Sequence, residues 1–213
     1  MASAGGRALS CPGTGRGEIL PTMRGSGVGD GLDRRGFLTR GLARALGQAT
    51  TRLLDELAPT HYMRPPGALP EAAFVAACTR CDACLPACPV QAISMLGPDA
   101  GLARGTPVLD VATTACAMCV DMPCAAACPT EALSVPADGW AGVTLASITL
   151  DETRCLPFRG VGCGVCARVC PVGETALALD ASGRPVLGPD CTGCGICVTA
   201  CVTSPSSLAA SPP

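Results

Sequence analysis

Apolar and polar positions fall into one long helical stretch followed by a series of much shorter pieces. Between Arg34 and Leu57, the apolar residues Leu38, Leu42, Leu46, Ala49, Leu53 and Leu57 recur every three or four positions. Arg40, Arg44, Gln48, Arg52, Asp55 and Glu56 fill the remaining face. That period predicts an amphipathic helix over 34–58. Before it, residues 1–33 are rich in Gly, Ser, Ala and Arg without periodicity and read as a disordered arm. After it, Pro59, Pro65, Pro66 and Pro70 mark 59–70 as a stiff linker. From residue 71 the pattern shortens. Val90–Leu96, Thr130–Val135 and Val172–Leu179 each read as a short helix running into a strand, with turns at 97–99, 137–139 and 180–183. The predicted domain spans 71–205 and is built from an internal repeat. Residues 206–213 read as a disordered tail.

Composition shows that these pieces lack the means to build an ordinary core. The 213 residues include 3 Phe, 1 Trp and 1 Tyr, against 17 Cys. Much of the 48% hydrophobic fraction is alanine, which buries little area. Cysteine chemistry must supply what apolar packing does not.

Charge is divided along the chain. All 15 basic residues are arginine, and residues 1–64 carry nine of them against five acids. Residues 65–213 carry six against twelve, so a basic arm precedes an acidic body. An acidic body argues against nucleic acid as a partner. No run of about 20 apolar residues predicts a membrane span. The arginine-rich helix 34–58 suits docking on the body or a partner, or peripheral association with an anionic membrane surface.

Sixteen of the cysteines fall into four units. The first is Cys78-Thr-Arg-Cys81-Asp-Ala-Cys84-Leu-Pro-Ala-Cys88-Pro89, and the second holds Cys116, Cys119, Cys124 and Cys128 before Pro129. Cys155, Cys163, Cys166 and Cys170, before Pro171, make the third, and Cys191, Cys194, Cys197 and Cys201 the fourth. Units one and four have the Cys-x2-Cys-x2-Cys-x3-Cys spacing of bacterial ferredoxins, in which the fourth cysteine ligates the neighbouring cluster. Zinc asks for two separated Cys-x2-Cys pairs, and cysteines this close rarely form disulfides with each other. Sixteen thiolates at four per cubane predict four [4Fe–4S] clusters, with these sixteen cysteines as the iron ligands. Each trailing proline is expected to start a short helix. Arg80, Arg159 and Arg168, beside or between ligands, are either solvated cations or groups that raise a cluster's potential.

At these residues the chain resembles a known family. Met63-Arg-Pro-Pro-Gly-Ala-Leu-Pro-Glu71-Ala-Ala-Phe74 precedes the first unit, Asp121-Met122-Pro123 precedes Cys124, and Cys155-Leu-Pro-Phe-Arg-Gly precedes Cys163. Together with the ending Cys201-Val202, these features are similar to the NapG/MauM ferredoxin-type proteins of periplasmic nitrate reduction and methylamine utilisation. The likeness implies an electron carrier of α+β class, with two ferredoxin-like bis-[4Fe–4S] modules packed together. It implies electrons passing from a membrane quinol-oxidising iron–sulfur protein, or a similar donor, towards a terminal reductase. The arginine-rich helix looks closer to the related NapF-type proteins. That suggests a cytoplasmic, membrane-associated location and, as a second function, maturation of a partner reductase. Asp33-Arg34-Arg35-Gly36-Phe37-Leu38 resembles a twin-arginine export motif and offers the periplasm as the alternative. A single histidine, His61, and the lack of a nucleotide-binding glycine loop leave no evident catalytic set, so an accessory carrier is expected rather than an enzyme.

The pairing of the units stays open between two arrangements. Units one and two, and three and four, can form successive modules; alternatively one pairs with four and two with three. The shared regular spacing of one and four favours nesting, which resembles the iron–sulfur subunits of molybdenum oxidoreductases. Nesting would group Cys78, Cys81 and Cys84 with Cys201, and Cys191, Cys194 and Cys197 with Cys88. It would also group Cys116, Cys119 and Cys124 with Cys170, and Cys155, Cys163 and Cys166 with Cys128.

Overall fold

Among the described residues every element is short, because the cysteine units interrupt the chain. The computed structural model describes residues 61–213; the arm 1–33 and the amphipathic helix 34–58 lie outside the described residues. Helix α1 spans Glu71–Ala77, capped by Pro70. Four one-turn helices follow: α2 (Cys84–Ala87), α3 (Pro123–Ala126), α4 (Val165–Val169) and α5 (Ile196–Thr199). Each contains the third cysteine of its unit. The expected helices after Pro89, Pro129 and Pro171 are not formed; those prolines lie in turns and bends. The reason is local. A residue before proline is kept out of the helical region, so Cys88 (ψ 112) and Cys170 (ψ 118) are extended and end the helix before the proline.

Three antiparallel pairs carry the hydrogen-bonded framework. Strand β1 (Ile93–Met95) pairs with β2 (Pro107–Leu109), Ile93 facing Leu109. Strand β4 (Leu177–Leu179) pairs with β5 (Pro185–Leu187), Leu177 facing Leu187. Strand β3 (Ser147–Leu150) pairs with β6 (Leu208–Ser211), Leu150 facing Leu208. The predicted piece Thr130–Val135 shrinks to a single bridge between Leu133 and Ala68.

The two halves of the body are built alike. In each, a segment before the first cysteine unit pairs with a segment after the second, and a hairpin fills the interval. Ala68 and Leu133 close the first half; β3 and β6 close the second. Two expectations fail for this reason. The C-terminal tail is a paired strand, with Leu208 3% exposed. The end of the proline-rich linker is structural: a Cβ on Gly67 would lie 1.8 Å from the Ser134 carbonyl oxygen.

Arg64 anchors the same segment. Its Nε donates to Glu71 Oε2 at 2.8 Å, and Nη2 bonds the other carboxylate oxygen. Nη1 donates to Thr106 Oγ1 at 2.9 Å and to the Pro107 carbonyl at 2.6 Å. The guanidinium also stacks on Phe74, 4.6 Å from its ring centroid. Both members of the ion pair are 8% exposed. Removing one partner of a buried pair leaves the other uncompensated, so Arg64→Ala should weaken the fold by about 3–5 kcal/mol. Hydrogen exchange in α1 and β2 of the cluster-loaded protein measures it, and unchanged protection there would refute the assignment.

The apolar core is small and centres on Phe74, Leu109, Val111, Met122, Leu133 and Leu145 in the first half, and on Leu177, Val198 and Leu208 in the second. Cysteines belong to both clusters: Cys84 and Cys124 to the first, Cys197 to the second, each 8% exposed. The halves meet through backbone bonds, Cys116 N–H to Cys194 C=O and Leu145 N–H to Thr192 C=O, both 2.8 Å.

Candidate metal centres

Residues in the left-handed backbone region wind each cysteine triplet into tight turns. Arg80 (φ 59) and Asp82 (φ 60) do so in the first unit, and Met118 (φ 51) and Met122 (φ 40) in the second. Gly164 (φ 102) serves the third, and Gly193 (φ 69) and Gly195 (φ 83) the fourth. Side chains other than glycine adopt this region at a cost of about 1–3 kcal/mol each. At Gly193 and Gly195 a side chain is also sterically barred, since a Cβ would lie 2.0 Å from the Ala146 oxygen and 2.2 Å from the Val111 oxygen.

These turns gather the cysteines in fours. Cys78, Cys81, Cys84 and Cys128 line one pocket beside Phe74 and Leu133. Cys155, Cys163, Cys166 and Cys201 line a second beside Leu150 and Leu208. A third is lined by Cys170, Cys191, Cys194 and Cys197 beside Ile148 and Leu177. The remaining cysteines meet in the first half's core, where Cys88 and Cys116 pack against the cluster of buried residues that includes Cys124. Cys119 lies in the same turn and is buried.

Burial pushes the Cys124 and Cys197 thiols up to about 12 and Cys84 and Cys116 to about 11, and neighbouring thiolates add to the rise. Such a site accepts four thiolates only with compensating positive charge at its centre. Three pockets, each lined by four cysteines, offer the all-thiolate donor set of a [4Fe–4S] cluster.

Two segments of the chain, residues 77–132 and 147–202, match two different family models, each described as a 4Fe–4S dicluster domain. The methylamine utilization ferredoxin-type protein MauM of Methylorubrum extorquens is 40% identical over 158 residues, covering 69% of this chain and 70% of that protein. The chain belongs to the NapG/MauM family of ferredoxin-type proteins. Ferredoxin-type protein NapG of Escherichia coli is 36% identical over 146 residues, 68% of this chain and 61% of its own length. Hydrogenase-4 component A of Escherichia coli is 36% identical over 111 residues, covering 51% of this chain and 46% of its own. No solved structure matches. With two dicluster domains, this NapG/MauM member carries four [4Fe–4S] clusters and is an electron-transfer protein.

The grouping of the cysteines departs from the nested arrangement that the regular spacing of units one and four favoured. Each dicluster segment contains two successive units, and Cys128, not Cys201, shares the cavity of Cys78, Cys81 and Cys84. Likewise Cys201 joins Cys155, Cys163 and Cys166, and Cys170 joins Cys191, Cys194 and Cys197. Cys88 packs on the same core cluster as Cys116 and Cys124. The physical reason is that α2 packs on α3 and α4 on α5, each pair crossing its unit's fourth cysteine over to the other. The irregular spacings do not resist this. Met122 turns the chain so that Pro123 can start α3, and a 3₁₀ turn at Leu156–Arg159 takes up the long gap after Cys155.

The three arginines differ. Arg80 donates to the carbonyls of Cys78 (3.2 Å), Leu102 (3.0 Å) and Arg104 (2.9 Å), tying the first unit to the loop before β2. Arg168 Nη1 reaches the Cys163 carbonyl at 3.5 Å, and Arg159 ends the 3₁₀ turn. Three contributors were missed. Trp140 Nε1–H donates to the Cys119 carbonyl at 3.0 Å, and Thr203 and Ser207 gather at Cys201. Their trace in the sequence is the hydroxyl-rich Thr203-Ser-Pro-Ser-Ser207, following the one unit without a trailing proline.

Proposed function

We propose that the sixteen cysteines hold the four clusters in successive interlocked modules, and that the chain relays electrons between a donor and a terminal oxidoreductase. Cys78, Cys81, Cys84 and Cys128 would hold the first, and Cys116, Cys119, Cys124 and Cys88 the second. Cys191, Cys194, Cys197 and Cys170 would hold the third, and Cys155, Cys163, Cys166 and Cys201 the fourth. When bound, each such cluster supplies a reversible one-electron centre. The residues of this chain do the rest. Phe74, Val111, Met122 and Leu145, each at most 2% exposed, keep water from the first half's quartets. The observation that carries the relay reading is the contact between halves: Cys116 N–H bonds Cys194 C=O at 2.8 Å, joining the second and third quartets through one hydrogen bond.

The donor we infer is a membrane quinol-oxidising iron–sulfur protein, and the acceptor a terminal oxidoreductase such as a nitrate reductase system. Among the described residues no helix is long and apolar enough to cross a membrane. We infer a place at the cytoplasmic membrane face through the amphipathic segment 34–58, with export through Arg34-Arg35 as the alternative. Reversible redox cycling with apo-acceptor protein present tests the relay reading. A relay returns its full absorbance and keeps its iron after repeated reduction and oxidation; net transfer of iron to the acceptor would mark a maturation factor instead.

A further inference from the structure

The last cysteine of the chain is hydrogen-bonded unlike the corresponding cysteine of any other unit. Thr203 Oγ1 lies 3.3 Å from Cys201 Sγ, and Ser207 Oγ lies 3.7 Å from it. The two hydroxyls are 2.8 Å apart, so they form a chain ending on the sulfur. The Ser207 N–H adds a third contact at 3.4 Å. At the matching cysteines the supply is thinner. Cys88 Sγ receives the Ala92 N–H at 3.3 Å. Cys128 Sγ has the Leu133 N–H at 3.5 Å and a single hydroxyl, Thr130, at 3.7 Å.

Sequence explains the difference. Units one to three continue Cys-Pro, whereas Cys201 continues Val-Thr-Ser-Pro-Ser-Ser. Pairing of β6 with β3 then holds Ser207 under the sulfur, and the residue is only 3% exposed. A donor bond to a ligand sulfur disperses negative charge and so favours the more negative, reduced form. Linked hydroxyls polarise one another and strengthen the effect. The acids nearby act weakly against it: Glu152 is exposed and screened, and Asp151 is engaged by Thr153 and Arg154.

We propose that Thr203 and Ser207 are positioning residues that raise the reduction potential of the cluster held by Cys155, Cys163, Cys166 and Cys201 above those of the other three. The inference rests on the ligand reading given above. It makes that end of the molecule the place where an electron comes to rest, and hence the side from which an acceptor draws it.

The test is a potentiometric titration, followed by electron paramagnetic resonance, of the anaerobically prepared full chain and its variants. In Thr203→Val and Ser207→Ala the highest midpoint should move to lower potential, and further in the double variant, with the other three unmoved. Thr203→Ser keeps the hydroxyl and should restore the wild-type value. Iron should stay at about sixteen per chain throughout. A highest midpoint that does not move in fully loaded variants, or a Thr203→Ser variant as altered as Thr203→Val, would overturn the proposal. If the variants fail to load, resonance Raman of the wild type in H₂O and D₂O decides. The Fe–S(Cys) bands should shift on exchange, and their failure to shift would overturn the proposal. The ligand reading fails differently: Cys201→Ser would then leave the highest-potential centre intact.

Discussion

Stripping the iron with a chelator under reducing conditions should unfold residues 61–213 as one unit. Among the described residues the longest regular helix has seven residues and the longest strand four, far below the length at which either is stable alone. The few large buried side chains, Phe74, Leu109, Met122, Leu145 and Leu177, are split between two small clusters. The cysteines themselves complete those clusters. Without metal, burial holds several of these thiols neutral, at about 11 to 12, and nothing else ties the four thiols of a quartet together. Structural metal is then most of the folding free energy. Amide protection in the three strand pairs should fall at least about a thousandfold on iron removal, roughly 4 kcal/mol. An apo-chain that kept its protection and near-ultraviolet dichroism would show a self-sufficient core.

The second large effect concerns which cysteines share a cluster. Two serine substitutions in one quartet should cost no more iron than either alone, and substitutions in different quartets should add. Cys88→Ser with Cys124→Ser is therefore expected to lose one cluster, about four irons. Cys88→Ser with Cys197→Ser should lose two, about eight. Nesting predicts the reverse, because it puts Cys88 with Cys197. The pair Cys201 and Cys166 against Cys201 and Cys84 repeats the test at the other end of the chain. Iron and acid-labile sulfide per chain give the count directly.

These two tests also mark the boundary of what the sequence made legible. The sixteen cysteines and the cluster type follow from spacing, because a short run of chain can wrap only so much of a cubane. Pairing does not, because it is set by α2 against α3 and α4 against α5, contacts between segments whose sequences are mostly alanine, valine and cysteine. The same blandness hid β6: Leu208-Ala-Ala-Ser211 has one large apolar residue, and only its pairing with β3 makes it a strand. The helices were misplaced by reading proline as a start, when Cys88 and Cys170 before it are stops. Arg64 stood in the quoted family motif, but its burial against Glu71 and Thr106 depends on a residue 42 positions away.

Iron and sulfide analysis of anaerobically purified protein, with zinc measured on the same sample, bears most directly on the central claim. Four clusters in four quartets require about sixteen irons and sixteen sulfides per chain and no stoichiometric zinc. A value near eight irons, or zinc in the quartets, would contradict it.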